Sequence, residues 1–281
     1  MGCTGSKSVS GHNEGSLERR RDSGKSSFQP IKDKFQTLGE VQDALRKAGL
    51  ESSNLIIGID YTKSNTWNGK VSFGGKCLHD ISSYQLNPYQ EAIKIIGKTL
   101  ESFDDDKLIP VLGFGDARST DKAVFKFTED RPCYGFEEVL QKYNEITPLI
   151  VLSGPTSFAP IIREAINISR GTKSYHILVI ICDGDVTSVN ETIDAIVEAS
   201  RVAPLSIIAV GVGDGPNGNN DWSVMERFDD DLPERQFDNF QFVPFNKVMA
   251  KAENREVDFA VASLQEIPEQ FQAIRKLGLI G

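Results

Sequence analysis

The 281-residue sequence has four cysteines and three histidines, and they do not cluster. Cys3, Cys77, Cys133 and Cys182 lie far apart with no C-x-x-C pair, and His12, His79 and His176 each stand alone. A zinc finger or RING-type cross-brace needs thiolates and imidazoles close together, so neither is encoded. An apolar signal-peptide core is also missing, which points to a reducing, cytosolic compartment. No window approaches the run of about 18 apolar residues that a membrane span needs. Positive charge is scarce as well. With 31 Lys+Arg against 40 Asp+Glu the formal net charge is −9, so a nucleic-acid partner is not expected. What remains, 39% hydrophobic and 25% charged, suits one large globular domain with a tail.

The charge that is present is unevenly placed. Residues 1–35 hold seven Lys/Arg against four acids, whereas the rest of the chain carries 24 basic and 36 acidic side chains. The first residues, Met1-Gly2-Cys3-Thr4-Gly5-Ser6, fit the pattern for N-myristoylation at Gly2, with Ser6 at the favoured position. Cys3 beside it is a candidate for palmitoylation, and the basic cluster around Arg19-Arg20-Arg21 follows. One myristoyl chain anchors marginally, while a second acyl chain or a basic patch makes attachment stable. The expectation is a lipidated, disordered arm over residues 1–34, too poor in apolar residues to form a core. It would hold the protein at the cytoplasmic face of the plasma membrane. A nuclear address is the alternative use of the arginines.

From residue 35 to 281 apolar strands alternate with amphipathic helices. The clearest strands are Asn54 to Asp60, Ile109 to Gly115, His176 to Asp183, Leu205 to Val212 and Phe240 to Val243. Helices are expected from Phe35 to Ala48, from Pro88 to about Phe103, over Phe136–Tyr143, Pro160–Ser169 and Val189–Arg201, near Trp222–Phe228, and from about Asp258 to Leu277. Residues 66–86 read as a long polar loop. This alternation predicts an α/β, three-layer sandwich with a mostly parallel central sheet and helices on both faces. Ligands of such sheets bind beyond the carboxyl ends of the strands. Cys182, inside a strand, reads as a small core residue.

Two aspartates stand at such ends. Asp60 closes the first strand and is followed by a hydroxyl at every second position, Thr62 and Ser64. Asp183 closes the strongest strand. A third segment, Gly154-Pro155-Thr156-Ser157, adds hydroxyls just before a helix. Hard oxygen donors of this kind suit Mg²⁺, Ca²⁺ or Mn²⁺. The competing reading is local: strand ends and helix starts routinely recruit Asp, Ser and Thr as caps.

Together these segments resemble the von Willebrand factor A domain and its metal-ion-dependent adhesion site. In that family D-x-[ST]-x-S is joined by a distant Thr and a distant Asp. Here the pattern falls on Asp60, Thr62, Ser64, Thr156 and Asp183, with Thr62 in place of the commoner Ser. The resemblance narrows to the copine-type A domain through Gly113-Phe114-Gly115, Thr156-Ser157-Phe158-Ala159-Pro160, Val210-Gly211-Val212-Gly213, Phe228-Asp229-Asp230-Asp231 and Asn239-Phe240-Gln241-Phe242-Val243. The match spans roughly residues 35–280, far more than one short motif. It implies that Thr62, Ser64 and Thr156 ligate the cation directly while Asp60 and Asp183 act through waters and hydrogen bonds. The cation, most simply Mg²⁺, would then take a partner's carboxylate as its last ligand. The implied function is divalent-metal-dependent protein binding, not catalysis. Copines proper carry two C2 domains ahead of this one, and none is read here. The Met1-Gly2-Cys3 start looks instead like the plant RGLG ubiquitin ligases. This favours, as the alternative, a substrate-recruiting or RING-less relative that works with the ubiquitination machinery.

Three further motifs compete. Asp183-Gly184-Asp185-Val186-Thr187 fits the D-x-D-x-T nucleophile motif of haloacid-dehalogenase-type phosphatases, in which Mg²⁺ assists attack by the first Asp. That reading gives Thr62, Ser64 and Thr156 no role. Gly213-Asp214-Gly215-Pro216-Asn217-Gly218 matches G-x-G-x-x-G by letter but leads into a loop, against dinucleotide binding. Asp229-Asp230-Asp231 could recruit calcium, although acidic runs are mostly solvated surface.

Overall fold

The computed structural model describes residue 31 and residues 35–280, apart from 51, 52, 83, 105, 185, 219 and 233. The lipidation residues Gly2 and Cys3, the arm that carries them and Asp185 lie outside the described residues.

In chain order the elements are α1 (Leu38–Ala48), β1 (Asn54–Asp60), α2 (Pro88–Leu100), β2 (Leu108–Ile109), β3 (Val111–Phe114), β4 (Phe125–Lys126) and β5 (Cys133–Tyr134). Then come α3 (Gly135–Ile146), α4 (Ala159–Thr172), β6 (His176–Cys182), α5 (Val189–Val202) and β7 (Leu205–Gly211). The chain continues through α6 (Ser223–Asp230), β8 (Phe240–Pro244), α7 (Phe245–Lys251), α8 (Arg255–Leu264) and α9 (Ile267–Lys276).

Six strands form the central sheet in the order β4-β3-β1-β6-β7-β8. All neighbours run parallel except the edge pair β3–β4. The expected three-layer α/β sandwich is the observed one. The central strands are buried on both faces, which is why β1, β6 and β7 read as nearly unbroken Ile/Leu/Val runs. One face packs Ile57, Ile59, Val179 and Ile181 under Ile93, Ile96 and Phe259. The other packs Ile56, Leu178 and Ile180 under Ile161, Ile162 and Ile196. The order reverses around β1: β3 lies on one side of it and β6 on the other. Asp60 and Asp183 stand at the carboxyl ends of the adjacent strands β1 and β6, at the switch point where ligands of such sheets sit.

Two expectations need correction. The strand expected over Ile109–Gly115 is broken by Pro110. Leu108–Ile109 pairs with Cys133–Tyr134 in a separate ribbon, and only Val111–Phe114 joins the main sheet. Pro110 lacks an N–H for a ladder, though its carbonyl still accepts from Ile57 N–H at 2.9 Å. The terminal helix expected from Asp258 to Leu277 is two helices, divided around Gln265–Glu266 with Pro268 opening the second. Helix α7 was also not foreseen.

The described residues of segment 66–86 form the expected loop, made of turns, but it is anchored. It packs Phe73, Leu78 and His79 into the fold. His79 lies between the rings of Tyr61 and Tyr89, with centroids 4.6 and 4.0 Å away.

Candidate metal centre

Strand β1 delivers Asp60 to the sheet edge fully buried, and the chain then turns through a short 3-10 helix over Lys63–Thr66. This turn brings the oxygens together. Asp60 Oδ1 accepts from the Thr62 backbone N–H at 2.7 Å. The Thr62 and Ser64 hydroxyls are 3.0 Å apart, and Ser64 Oγ donates to Asp183 Oδ1 at 2.9 Å. Asp183 Oδ2 accepts from Asn68 Nδ2 at 2.9 Å, and the same amide reaches the Asp183 carbonyl at 3.0 Å. Four of the five expected site residues thus form one hydrogen-bonded chain from Asp60 to Asp183.

Thr156 lies on a segment whose backbone is bonded to the residues that follow both strands. Its segment bridges β1's exit through Thr62 and Ser153, and Lys63 N–H donates to Ser153 O at 2.6 Å. On the other side the Thr156 carbonyl accepts from Thr187 N–H, Thr187 Oγ1 and Ser188 N–H at 2.9, 3.0 and 3.1 Å. The 153–156 segment is therefore fastened to both strand exits. The capping alternative does not describe Thr156: α4 starts after Phe158 without a side-chain cap, and Ser157 Oγ is the hydroxyl that accepts from Ala159 N–H, at 3.3 Å.

The electrostatics are lopsided. Asp60 and Asp183 are both buried, and no described side-chain cation pairs with either. Burial pushes the Asp60 carboxyl up to about 6, against its hydrogen bonds with Thr62. Burial first, and the neighbouring Asp60 charge second, holds Asp183 well above the usual carboxylate range. Asp60 Oδ2 is buried with no hydrogen-bond partner. A buried, unpaired carboxylate oxygen is expensive unless a positive charge reaches it. The described residues hold no group of three or more His, Cys, Asp or Glu side chains suited to a metal, so here two carboxylates and the Thr62 and Ser64 hydroxyls are the donors brought together, all hard oxygens of the kind that suit a divalent cation such as Mg²⁺. The donor set fits such an ion.

Three residues that sequence reasoning missed build the surroundings. Asn68 orients Asp183, as above. Asn65 donates to the Asp60 and Thr62 carbonyls at 3.3 and 3.0 Å. His79 Nε2 lies 2.8 Å from the Asp60 carbonyl, which can only accept, so Nε2 carries the hydrogen. Nδ1 is then free to accept from the Tyr143 hydroxyl at 2.8 Å. Burial lowers the His79 pKa to about 3, so the ring stays neutral and supplies no counter-charge. The weak signal for Asn65 and Asn68 was their nearness to Ser64, whereas a lone His carries none.

The competing motifs acquire structural roles. Both Asp183 oxygens accept hydrogen bonds and Thr187 is spent on Thr156, an arrangement that lends a phosphatase nucleophile no support. Asp214 of the glycine-rich turn accepts from the Val71 and Ser72 N–H groups at 2.6 and 2.7 Å, tying the 66–86 segment to the end of β7. Asp229 of the acidic run accepts from Phe242 N–H at 3.0 Å, along β8.

Fold and site together define a doubly wound α/β domain with a buried cluster of carboxyl and hydroxyl oxygens at its switch point. Residues 77–281 match the copine family model. The chain belongs to the copine family. It is 50% identical over 293 aligned residues to the E3 ubiquitin-protein ligase RGLG2 of Arabidopsis thaliana, covering 98% of this chain and 60% of that protein. It is 52% identical over 250 residues to Copine family protein 2 of Caenorhabditis elegans, covering 88% of this chain and 3% of that one. The chain thus spans less than two thirds of the length of each of these relatives. Solved structures with a partly similar course include a von Willebrand factor type A protein from Catenulispora acidiphila, with TM-score 0.45 and 14% identity over 75% of this chain and 42% of that one. The SpRpn10 VWA domain, with TM-score 0.45 and 11% identity, covers 68% of this chain and 87% of its own.

Proposed function

We propose that this domain is a protein-interaction module whose contact is completed by a divalent cation, Mg²⁺ in the simplest case and Ca²⁺ or Mn²⁺ otherwise. The observation that carries the reading is the buried pair Asp60 and Asp183, linked through Thr62 and Ser64, with Asp60 Oδ2 unbonded and no described cationic side chain at hand. The Thr62, Ser64 and Thr156 hydroxyls would hold the ion, and the two aspartates would supply charge through waters and hydrogen bonds. When bound, the ion supplies a positive centre that can accept a carboxylate from a partner protein. Few charged groups in direct contact keep that centre electrophilic.

The N-terminal Gly2 and Cys3 would carry acyl chains, and with the basic cluster they would place the module at the cytoplasmic face of a membrane. The similarity to RGLG2 over 98% of this chain favours a second reading, that the module recruits substrates for ubiquitination. Isothermal titration with Mg²⁺, Mn²⁺ and Ca²⁺ on wild type and Asp60→Ala tests the cation. Heat that is the same for both proteins, or absent, would remove the proposal. An autoubiquitination assay on the chain alone should stay negative, and a positive result would overturn the binding-module reading.

A further inference from the structure

Next to the oxygen cluster, residues 61–79 differ in charge from the rest of the chain. They contain Lys63, Lys70 and Lys76 and no acid, in a protein of net charge −9. Their backbone is pinned from below. Phe73 and Leu78 are buried anchors, Asn68 is bonded to Asp183, and Asp214 holds the Val71 and Ser72 N–H groups. Leu78 N–H donates to the Asn65 carbonyl at 2.9 Å.

Two large apolar side chains on this fixed segment nevertheless face solvent. Trp67 is 57% exposed and Val71 77% exposed. Single exposed apolar residues are ordinary. Here two share one fastened segment, three and seven residues beyond Ser64, with Lys63 and Lys70 exposed among them. Tryptophan is enriched among the residues that dominate interface energies. A segment already held in place also loses little freedom when it docks.

We propose that the Trp67–Val71 segment is a docking edge of the cation site, for a protein segment that carries a bulky apolar residue close to an acidic one. The acid would complete the cation, the apolar residue would cover Trp67 and Val71, and Lys63 and Lys70 would favour further acids nearby. This inference rests on the cation reading above. A protein segment fits better than an anionic bilayer, because residues 36–281 carry 24 basic against 36 acidic side chains and such a body is repelled by an anionic leaflet.

The test pans a random peptide display library against the full Mg²⁺-loaded chain and elutes with EDTA. The expected consensus pairs Asp or Glu with a bulky apolar residue within about four positions, the reach of one short extended segment. Binding of a consensus peptide should then fall by about tenfold or more in Trp67→Ala. It should also weaken in Lys63→Glu/Lys70→Glu, while calorimetric Mg²⁺ affinity of Trp67→Ala stays that of wild type. An enriched consensus without an apolar residue, no enrichment, or unchanged peptide affinity in Trp67→Ala would overturn the docking edge alone, provided Mg²⁺ still binds wild type and not Asp60→Ala. Absence of Mg²⁺ binding to wild type would instead remove the cation reading. Trp67-dependent binding to phosphatidylserine vesicles in place of peptide would assign the edge to lipid and overturn the protein partner.

Discussion

The Ser64 hydroxyl donates to the Asp183 carboxylate at 2.9 Å, joining strand exits 119 residues apart in sequence. The same oxygen lies 3.0 Å from the Thr62 hydroxyl, so Ser64 links the two ends of the oxygen cluster. Its removal should act on both stability and cation binding. Ser64→Ala leaves Asp183 Oδ1 short of a donor in a buried setting, which costs about 1–3 kcal/mol. The expected result is a lower midpoint in urea without metal, and a Mg²⁺ affinity at least about tenfold weaker because a direct ligand is lost. Unchanged Mg²⁺ affinity in this variant would show that Ser64 is not a ligand.

Asp60 gives the opposite pattern. Its folded pKa of about 6 lies above its ordinary value of 3.8, so the native state keeps a proton that the unfolded chain has released. The stability that comes with that proton is present below pH 4 and is lost as pH rises through about 6. Asp60→Asn keeps an acceptor for the Thr62 N–H and removes the buried charge. In EDTA the variant should match wild type near pH 4 and be the more stable of the two at pH 7, the direction set by the raised Asp60 pKa. In Mg²⁺ the order should reverse. The measurement is chemical denaturation at several pH values with chelator and with metal. A chelated Asp60→Asn less stable than wild type at pH 7 would refute the account of the unpaired charge.

His79 works in the same pH range with the opposite sign. Its folded pKa is lowered to about 3 by burial between Tyr61 and Tyr89, so the unfolded chain takes up a proton that the native state refuses. Its stabilising contribution is full above pH 6.5 and is lost as pH falls toward 3. Nitrogen-15 NMR should show a neutral Nε2–H ring that does not titrate between pH 5 and 8. His79→Ala should cost about 3 kcal/mol at pH 7, from a cavity and two buried hydrogen bonds. That penalty should shrink on acidification.

The contrast between Asp60 and His79 also shows what was legible in the sequence. Asp60 and Asp183 close runs of Ile, Leu and Val long enough to mark central strands, so their place at one edge of the sheet could be argued before any coordinates. Thr62 and Ser64 followed from spacing. His79, Asn65 and Asn68 could not be found that way, because their roles depend on a segment with no periodic pattern, held by isolated anchors such as Phe73 and Leu78. Pro110 was visible, yet the apolar residues on both sides of it suggested one strand. The break at Gln265–Glu266 was hidden for the reverse reason: apolar residues recur at helical spacing through both α8 and α9, and only Pro268 marks a new start.

Gly115 offers a way to separate strain from damage to the site. It has φ +81, in the left-handed region, and a Cβ there would collide with Thr62 Cγ2 and lie 3.3 Å from Thr62 N. Gly74 has φ +63 with nothing within 4 Å of an added Cβ. Alanine at either position carries the left-handed penalty of about 1–2 kcal/mol. Only Gly115→Ala also pushes Thr62 from its contacts with Asp60 and Ser64. Without metal Gly74→Ala should lose only the left-handed penalty and Gly115→Ala more, because of the Thr62 collision, whereas calorimetry should show weakened Mg²⁺ binding in Gly115→Ala and wild-type binding in Gly74→Ala. Equal Mg²⁺ affinity in the two would mean that the position of Thr62 does not matter to the ion, and the ligand set would have to be drawn without it.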